Sequence, residues 1–417
     1  MSGLGRRIQR LAAAGVMLSL LAGDAGAAEP RTLRVGTSGD YAPFSTLATD
    51  GTRAGLDIRL LESFAAQRDL ALEWVDFRWP DLARDLAAGR FDLAASGITV
   101  RADRSLIGGF TVPYATTGAV VLARREAALT EAALREPGRV LAVNAGGHLE
   151  RVARLLFPAA EIHAIADNRA VIAALRRGEV EAVVTDSAEA PSWEAGDPRP
   201  DRFGPFTRDQ KAFWVSPSER ELASELSAWL VDRETDGTLK RARAAVGLAG
   251  DERPGLALHA LVTAIAERLA LMPAVAEAKR RDGTPVHVPE REAIVIASAV
   301  ESARKAARAA GLPGAEDEAV AAFFGELVAA ARAVQEAVLA GPPAPPGEVP
   351  DLDTALRPAL VRIGDRIGVL LPRLPGAVSE PAVDRALAQL VDLPGVDAER
   401  RRRLVAAISA LAAAPRR

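Results

Sequence analysis

The hydrophobic and polar positions follow two patterns along the chain, and the change between them falls near residue 247. Before that point, short apolar runs alternate with amphipathic stretches whose apolar residues recur every three or four positions. The apolar runs are LRVGTSG, ALEWVDF, FDLAASG, VVLARR, RVLAVN, EIHAIA, EAVVTD and KAFWVS, and the clearest amphipathic stretches are GLDIRLLESFAAQ and HLERVARLLF. Strand-type runs that alternate with helical stretches predict an α/β fold.

The second pattern begins after LAGDERPG at 248–255, whose glycines and proline indicate a linker. Strand-type runs stop there, and alanine-rich helical patterns continue, which predicts an all-α region. Inside that region, the prolines of GPPAPPGEVPD at 341–351 predict an extended connection, because proline cannot continue a helix. We therefore expect an α/β domain over 28–250 and an all-α domain over 251–417.

The N-terminal residues have the pattern of a secretory signal. Three arginines occur among the first ten residues, an apolar segment follows at 11–23, and the small residues before Ala27 suit cleavage after it. We expect residues 1–27 to be a signal peptide that directs the protein to a bacterial periplasm. The chain has no cysteine, which excludes disulfide bonds. After removal of the signal we expect a soluble protein with no membrane attachment.

Composition narrows the classes of function. The chain has 52 lysines and arginines against 55 aspartates and glutamates, a formal net charge of -3, so no dominant basic field attracts nucleic acid. Its four histidines lie far apart in sequence, without the short spacing that lets one helix or turn present two metal ligands. We expect no nucleic-acid partner, no metal and no cofactor.

One helical stretch of the second half carries cations on its apolar side. In RLALMPAVAEAK at 268–279, Arg268 and Lys279 are separated by about three helical turns and point in nearly the same direction. The apolar stripe on which they fall consists of Leu261, Ile265, Met272 and Val275. Cations on the apolar side of a helix must have a reason to be there, although a lone helix cation is more often a solvated side chain.

The first half resembles a known family. The segments GTSGDYAPFS, WPDLARDLAAGRFDLAASGIT, TVPY and VTDSAEA occur in an order that is similar to the amino-acid-binding type of periplasmic solute-binding protein. The resemblance is closer still to the cyclohexadienyl dehydratases built on that fold. It implies a type II solute-binding fold, with two α/β lobes and the ligand in the cleft between them.

Several residues are candidates for that cleft. Ser96 and Thr99 follow the strand FDLAA, and Asn144 and Gly146 follow RVLAV, at strand ends of the kind that bind anions. The resemblance implies that Arg104 holds a ligand carboxylate, as a planar guanidinium can with two parallel hydrogen bonds. It also places further residues in or near the pocket wall, where ordinary packing is the alternative; these are Tyr41, Phe44, Trp79 and Lys211.

Glu189 in TDSAEA separates catalysis from transport. A plain amino-acid-binding protein would use Asp186 to receive the ligand ammonium and would not need a second acid three residues later. In the dehydratases the matching glutamate is the catalytic acid, so the resemblance gives Glu189 that role. Burial in a closed cleft would raise its pKa and keep it protonated near neutral pH. The alternative is a first-turn glutamate that the helix dipole favours.

The helical half resembles the exported, gamma-subclass chorismate mutases. The matching segments are AERLALMPAVAEAKRRDGTPVHVPERE, GLPGAEDEAVAAFFGELVAAARAVQ and PDLDTALRPAL. Residue by residue, the resemblance implies an active site formed by Arg268, Lys279, Arg291, Gln335 and Arg357. It gives Lys279 and Gln335 the hydrogen bonds to the ether oxygen that breaks in chorismate, and gives the arginines the two carboxylates.

Both halves depart from their families at a few positions. His148 and Gln210 differ from the solute-binding pattern, and Val288 and Val295 differ from the mutase pattern, which leaves the substrate preference open. The resemblance implies an exported bifunctional enzyme that converts chorismate to prephenate and then prephenate to phenylpyruvate, with arogenate as an alternative substrate. The other hypothesis is a solute receptor without catalysis, whose mutase-like domain serves interaction. We also expect a homo-oligomer.

Overall fold

The computed structural model describes most of the chain beyond its N-terminal segment. The predicted signal peptide and the centre of the predicted linker lie outside the described residues, as do some residues of the proline-rich connection. The described residues are 31–195, 199–248, 255–343 and 349–416, without the side chains of residues 389 and 390.

The described residues form an α/β region followed by a helical region, as the two sequence patterns predict. The strands are β1 (Thr32–Thr37), β2 (Asp40–Tyr41), β3 (Ser45–Leu47), β4 (Arg53–Ala54), β5 (Ala71–Asp76), β6 (Leu93–Ala94), β7 (Gly109–Phe110), β8 (Ala115–Thr117), β9 (Ala119–Ala123), β10 (Val140–Asn144), β11 (Glu161–Ile165), β12 (Ala182–Asp186), β13 (Asp201–Phe203), β14 (Asp209–Lys211) and β15 (Trp214–Val215).

The helices of the first region are short, except for the helix Arg220–Thr235. They are α1 (Leu56–Ala66), α2 (Leu82–Ala87), α3 (Ala102–Ser105), α4 (His148–Leu156), α5 (Asn168–Arg177), α6 (Ala190–Trp193), α7 (Arg220–Thr235) and α8 (Thr238–Ala244). The helical region contains α9 (Leu256–Ala270), α10 (Met272–Asp282), α11 (Pro289–Ala310), α12 (Asp317–Ala340), α13 (Arg357–Leu370), α14 (Glu380–Leu390) and α15 (Ala398–Ala413).

The strands of the first region divide into two lobes. Lobe 1 has a five-stranded sheet in the order β5-β1-β6-β15-β7, in which β1 pairs in parallel with β5 and β6. Lobe 2 has a sheet in the order β11-β10-β12-β9-β13, in which β10 pairs in parallel with β11 and β12. The chain passes between the lobes through the antiparallel pair β8 and β14. This is the two-lobed α/β fold that the resemblance implies.

The stretch around Arg268 and Lys279 forms two consecutive helices instead of one. Helix α9 ends at Ala270 and α10 begins at Met272, with Pro273 as its second residue. A proline in this position lacks only an N–H group that the first turn would leave unpaired, so a new helix can start there. Over 256–282 the chain is long and apolar enough to cross a membrane, but 78% of its most apolar window is buried inside the protein, as in a core helix.

The apolar core shows which lobe holds the helical region. The buried side chains of lobe 1 and of the helices form one continuous cluster, with α9 and α13 packed against α3, β7 and α7. Lobe 2 has two smaller clusters of its own, one on each face of its sheet. The helical region is therefore an extension of lobe 1, and it leaves lobe 2 as the separately packed body.

Candidate active sites

The first candidate site lies between the lobes, which are closed on each other. Asn168 of lobe 2 donates from its Nδ2 to the carbonyl of Asp40 in lobe 1, at 3.1 Å. A Cβ atom on Gly146 would lie only 2.5 Å from the Cα of Pro80 across the cleft, and Gly146 has a φ of 72°. The cavity that remains has about 30 Å³. It is lined by Tyr41, Trp79, Gly97, Thr99, Arg104, Asn144, Gly147, His148, Leu149, Asn168 and Lys211.

Lys211 forms the floor of the cleft. It is the last residue of β14, one of the strands that connect the lobes, and its side chain is fully buried. Its Nζ lies 2.9 Å from Asp186 Oδ2 and donates to Thr99 Oγ1, also at 2.9 Å. The ammonium lies 5.5 Å from the centre of the Tyr41 ring. Lys211 therefore places a positive charge at the base of the cleft and uses Asp186 as its counter-ion.

Arg104 supplies a second cation from the short helix α3. Its Nη1 donates to the carbonyl of Thr99 at 3.1 Å, and the guanidinium lies over the Trp214 ring at 5.6 Å. Burial lowers the pKa of Arg104 to about 9. A positive charge that has lost this much hydration has a strong tendency to pair with an anion. The arrangement suits a carboxylate ligand.

Aromatic rings form the wall of the cleft on the side of lobe 1. The rings of Tyr41 and Trp79 meet edge to face, with their centres 5.5 Å apart. Trp79 is held from behind, because its Nε1 donates to Asp40 Oδ1 at 3.2 Å. Phe44 lies beneath the cleft, where its ring is fully buried and tilted against Tyr41. A flat, unsaturated ring would find an apolar surface here, with the two cations at its edge.

Glu189 lies directly behind Asn168. It is the residue before α6, and both carboxyl oxygens have partners: Asn168 Nδ2 donates to Oε1 at 2.7 Å, and Thr185 Oγ1 donates to Oε2 at 2.7 Å. Burial raises the pKa of Glu189 well above its ordinary value, although these two hydrogen bonds act in the opposite direction. Because Asn168 also spans the lobes, closure of the cleft and the position of Glu189 are linked.

Five residues that the sequence predicts for the cleft do not line the cavity itself. Besides Glu189 and Phe44, these are Ser96, whose Oγ accepts from the amide of Ser38; Gly146, whose amide donates to the Glu150 carboxylate; and Asp186, which is paired with Lys211 and Thr117. Tyr41, Trp79, Thr99, Arg104, Asn144 and Lys211 do line it. The predicted cleft residues therefore lie partly in the cavity wall and partly behind it.

Two cleft features were missed by the sequence interpretation. Asn168 starts α5, and only the folding of lobe 2 brings it to Glu189. His148 was noticed as a departure from the family pattern, but its partner was not: its Nε2 lies 2.9 Å from Asp209 Oδ1. Burial opposes ionisation of Asp209, yet the hydrogen bond from His148 and its charge lower the Asp209 pKa.

The second candidate site is a cavity of about 520 Å³ in the helical region. All five residues that the mutase resemblance implies lie along it, which are Arg268, Lys279, Arg291, Gln335 and Arg357. They come from α9, α10, α11, α12 and α13, so five helices each contribute one side chain. Much of the remaining wall is apolar, with Val275, Val288, Val295, Phe324 and Leu360 among the lining residues. The fold therefore brings these five residues, which lie far apart in the sequence, to one cavity.

Two of these side chains have hydrogen-bond capacity left inside the cavity wall. Arg268 Nη1 donates to the carbonyl of Leu360 at 3.2 Å, while its Nε is buried without a partner in the described residues. Burial lowers the pKa of Arg268 to about 10. Gln335 Nε2 donates to the carbonyl of Ala331 at 3.1 Å, and its Oε1 is buried and unpaired in the described part of the chain. Unpaired buried polar atoms in a roomy cavity indicate a ligand site.

Charge in the cavity is concentrated near Lys279. Burial lowers the pKa of Lys279, and the nearby positive charge of Arg357 lowers it further. Its Nζ donates to the carbonyl of Val286 at 3.1 Å. Arg357 is half-exposed and pairs with Asp353. Arg332, which was not predicted, also lines the cavity.

A two-lobed α/β fold with a closed cleft defines a protein of the solute-binding class, here extended by a helical region with its own cavity. Residues 33–245 match the bacterial extracellular solute-binding proteins of family 3. The chain belongs to that family. Residues 259–336 match type II chorismate mutases. The chain is a fusion of these two kinds of domain, and it is an enzyme.

Similar proteins include both an enzyme and transport proteins. A cyclohexadienyl dehydratase of Pseudomonas aeruginosa is 32% identical over 223 residues, which are 51% of this chain and 81% of that protein. A probable amino-acid ABC transporter-binding protein of Haemophilus influenzae is 25% identical and covers 51% of this chain and 82% of its own length. An ancestral amino acid-binding protein, described as a precursor of cyclohexadienyl dehydratase, has 29% identity and a TM-score of 0.48 over 51% of this chain and 94% of its own.

Proposed function

We propose that the protein converts chorismate to prephenate in the helical cavity and prephenate to phenylpyruvate in the cleft between the lobes. The observation that carries the second activity is Glu189, a buried carboxyl group with a raised pKa that is held by Asn168, a residue of the cleft wall. The two matched domains support the pairing, since the product of one reaction is the substrate of the other. Export to the periplasm is part of the proposal and depends on residues 1–27.

The rearrangement of chorismate transfers no proton and needs no nucleophile. One ether C–O bond breaks while one C–C bond forms, and negative charge develops on the ether oxygen. Catalysis therefore consists of holding the compact conformer of a dianion and stabilising that charge. Arg268, Arg291 and Arg357 would bind the two carboxylates. Lys279 and the amide of Gln335 would donate to the ether oxygen, with hydrogen bonds that strengthen in the transition state.

The cleft reaction needs an acid. The bond from the ring carbon to its carboxylate breaks, CO2 leaves, and the electron pair makes the ring aromatic as the hydroxyl departs from the opposite carbon. Hydroxide leaves poorly, so Glu189 would donate its proton and the hydroxyl would leave as water. The resulting carboxylate would then take a proton from solvent. Arg104 and Lys211 would bind the carboxylates of the dianion, and the rings of Tyr41 and Trp79 would hold the cyclohexadiene ring.

The charges of the cleft favour a keto acid over an amino acid. An amino-acid ligand needs a free carboxylate for its ammonium, and Asp186 would be that group. Here Asp186 is fully buried, is paired with Lys211 and accepts a hydrogen bond from Thr117. Burial makes Glu189 harder to ionise than an ordinary glutamate, and the residues that line the cavity include Arg104 and Lys211 but no carboxylate. We infer a preference for prephenate, which carries two carboxylates and no ammonium, over arogenate.

The second candidate is a receptor that binds an amino acid and catalyses nothing. Its support is the number of amino-acid-binding proteins among the similar chains, such as the arginine-binding protein 1 of Escherichia coli, 23% identical over 222 residues. A receptor would bind its ligand without chemical change. It would also have to release Asp186 from Lys211 to accept an ammonium.

The deciding experiment is one incubation. The purified protein is given chorismate at neutral pH, and prephenate and phenylpyruvate are followed over time. Neutral pH matters because acid alone converts prephenate to phenylpyruvate. We expect both products in sequence, and faster turnover of added prephenate than of added arogenate. Unchanged chorismate, together with tight binding of an amino acid, would leave the receptor as the better function.

A further inference from the structure

Helix α9 carries a buried polar stripe that neither proposed reaction uses. His259, Thr263 and Glu267 follow one another at intervals of four, so they lie on one face of a helix whose other residues are almost all apolar. All three side chains are buried, at 2%, 5% and 5% exposure. Buried polar groups need partners, and this face of the helix is turned toward lobe 1. We call these three residues the α9 stripe.

Glu267 connects the stripe to the helix that carries Arg104. Its Oε1 accepts a hydrogen bond of 2.6 Å from the hydroxyl of Ser105 in α3, and its Oε2 is paired with Arg366. Arg366 also donates to the carbonyl of Phe110 in lobe 1, at 3.2 Å. Ser105, Glu267 and Arg366 are all buried. Since Arg104 and Ser105 are neighbours in a helix of only four residues, the bond to Glu267 restrains the backbone from which Arg104 reaches the cleft.

His259 connects the α9 stripe to β14, one of the two strands that link the lobes. Its Nε2 is hydrogen bonded to Oε1 of Gln210, which is buried in β14 beside Lys211. Gln210 is one of the positions where the chain departs from its family pattern, and its partner lies in the helical region. Both cations of the cleft are thus adjacent in sequence to a residue held by the same helix.

We propose that the α9 stripe is a positioning element for the dehydratase cleft. It holds Arg104 through Ser105 and Lys211 through Gln210, so that the two cations keep the spacing that a dianion requires. The residues of the stripe do not touch the substrate. This inference rests on the proposed function for the identity of the ligand, but the restraint itself concerns the geometry of lobe 1.

The lobe 1 side of the cleft therefore depends on contacts with the helical region. Lobe 2 closes on a surface whose cations are set by α9, and α9 also carries Arg268 of the other cavity. A displacement of the two cations weakens their hydrogen bonds to the carboxylates equally in the ground state and in the transition state, and a loss of such uniform binding appears in KM. Loss of one stripe contact should therefore raise the KM for prephenate more than it lowers kcat, because binding of the carboxylates is the step affected.

The test uses three single variants of the full chain. Ser105→Ala removes the hydroxyl but leaves Glu267 paired with Arg366, so no buried charge is stranded. His259→Asn keeps a polar side chain that is too short to reach Gln210. The matched control is Asp232→Asn, which breaks a different contact between lobe 1 and the helical region, the 3.1 Å pair with Arg373.

Two readouts are measured on each variant. The first is KM and kcat for added prephenate, for which we expect about a tenfold rise in KM and less than about a twofold change in kcat for Ser105→Ala and His259→Asn. The second is amide hydrogen exchange of 102–106 and 209–212, which should become faster in these variants. Asp232→Asn should change neither, and mutase turnover in the same samples reports that the chains are folded.

Each outcome decides the proposal. If Asp232→Asn raises KM as much as the two stripe variants do, then any contact between lobe 1 and the helical region has this effect. The stripe would have no special role, and the inference would be overturned. Unchanged KM and unchanged exchange in both stripe variants also overturn it. If the parent protein does not turn over prephenate, the proposed function has failed, and the exchange of 102–106 and 209–212 alone supports or rejects the restraint. Failure of one variant to fold leaves the other to decide.

Discussion

The two candidate sites differ in how they are enclosed. The cleft has a cavity of about 30 Å³ between two bodies that have closed on it, whereas the helical cavity has about 520 Å³ within one packed bundle. The cleft holds a buried acid, Glu189, with a raised pKa, while the helical cavity is lined by cations and an amide. This difference suits the cleft to proton transfer away from water and the helical cavity to binding one conformer of an anion.

The lobes of the first region differ in the same way. Lobe 1 shares its core with the helices, and lobe 2 has its own two clusters. Lobe 2 is therefore packed separately from the larger body that lobe 1 and the helices form. Glu189 comes from lobe 2 and Arg104 comes from lobe 1, so the candidate site combines residues of both lobes.

The strongest test of the contrast between the sites is Glu189→Gln. Glutamine keeps the shape and the hydrogen bond from Asn168 but has no proton to give, so prephenate turnover should fall by roughly 100-fold to 10,000-fold. Chorismate should still be consumed, and prephenate should accumulate at neutral pH. Production of phenylpyruvate at the parent's rate would remove Glu189 from the chemistry. Glu194→Gln, which changes a buried glutamate outside the cleft, is the matched control.

The reciprocal test is Arg357→Ala in the helical cavity. Loss of one charged donor to the transition state should lower mutase turnover by about 100-fold or more, because such a donor contributes about 3 kcal/mol. Prephenate turnover should not change. The arginine is half-exposed and pairs with an exposed aspartate, so the midpoint of thermal unfolding should move little. Arg385→Ala, an exposed arginine of α14, serves as the comparison, and equal mutase rates in the two variants would refute the assignment.

A smaller effect is expected when the counter-ion of Asp186 is removed. In Lys211→Met, Asp186 loses its cation and becomes available to an ammonium, so the selectivity for prephenate over arogenate should fall by about tenfold. The measurement is the ratio of kcat/KM for the two substrates. An equal loss for both would mean that Lys211 does not set the preference between the two substrates. Mutase turnover of the same sample reports on folding.

The pH dependence of turnover should differ between the two sites, and this is the smallest of the expected effects. Burial raises the Glu189 pKa, so its acidic form persists to a higher pH than that of an ordinary glutamate. This form is lost as the pH rises through the raised pKa, and prephenate turnover should fall in the same range. Burial and Arg357 lower the Lys279 pKa, so mutase turnover should fall at a lower pH than an ordinary lysine would give. The first decrease should disappear in Glu189→Gln and the second in Lys279→Arg. A decrease that persists in its variant belongs to another group.

Much of the fold could be predicted because it depends on local periodicity. The strands β1, β5, β10 and β12 and the helices α1 and α4 lie within a few residues of the apolar runs and amphipathic stretches that predicted them. The break between α9 and α10 was missed, since apolar residues continue through it and only Pro273 marks it. The five predicted residues of the helical cavity all line it, although Arg291 is exposed and Arg357 is half-exposed.

The cleft could be predicted only in part. The sequence indicated Glu189 and Asp186 as cleft residues, but it could not indicate that Asn168 would hold the first or that Lys211 would neutralise the second. These partners are 21 and 25 positions away, and no spacing rule joins them. The α9 stripe was readable as a polar pattern in an apolar helix, yet its partners in α3 and β14 were not.

The sequence by itself determined the two classes of domain, the helices and strands within them, and the kinds of side chain available for each reaction. Local propensity and hydrophobic periodicity depend on residues a few positions apart, so they can be interpreted from the chain alone. Only the tertiary structure decided that the helices share a core with lobe 1, that Asp186 pairs with Lys211, and that Glu267 of α9 is bonded to Ser105, the neighbour of Arg104. These facts depend on contacts between distant segments, and the burial that sets the Glu189 pKa exists only once those segments have packed.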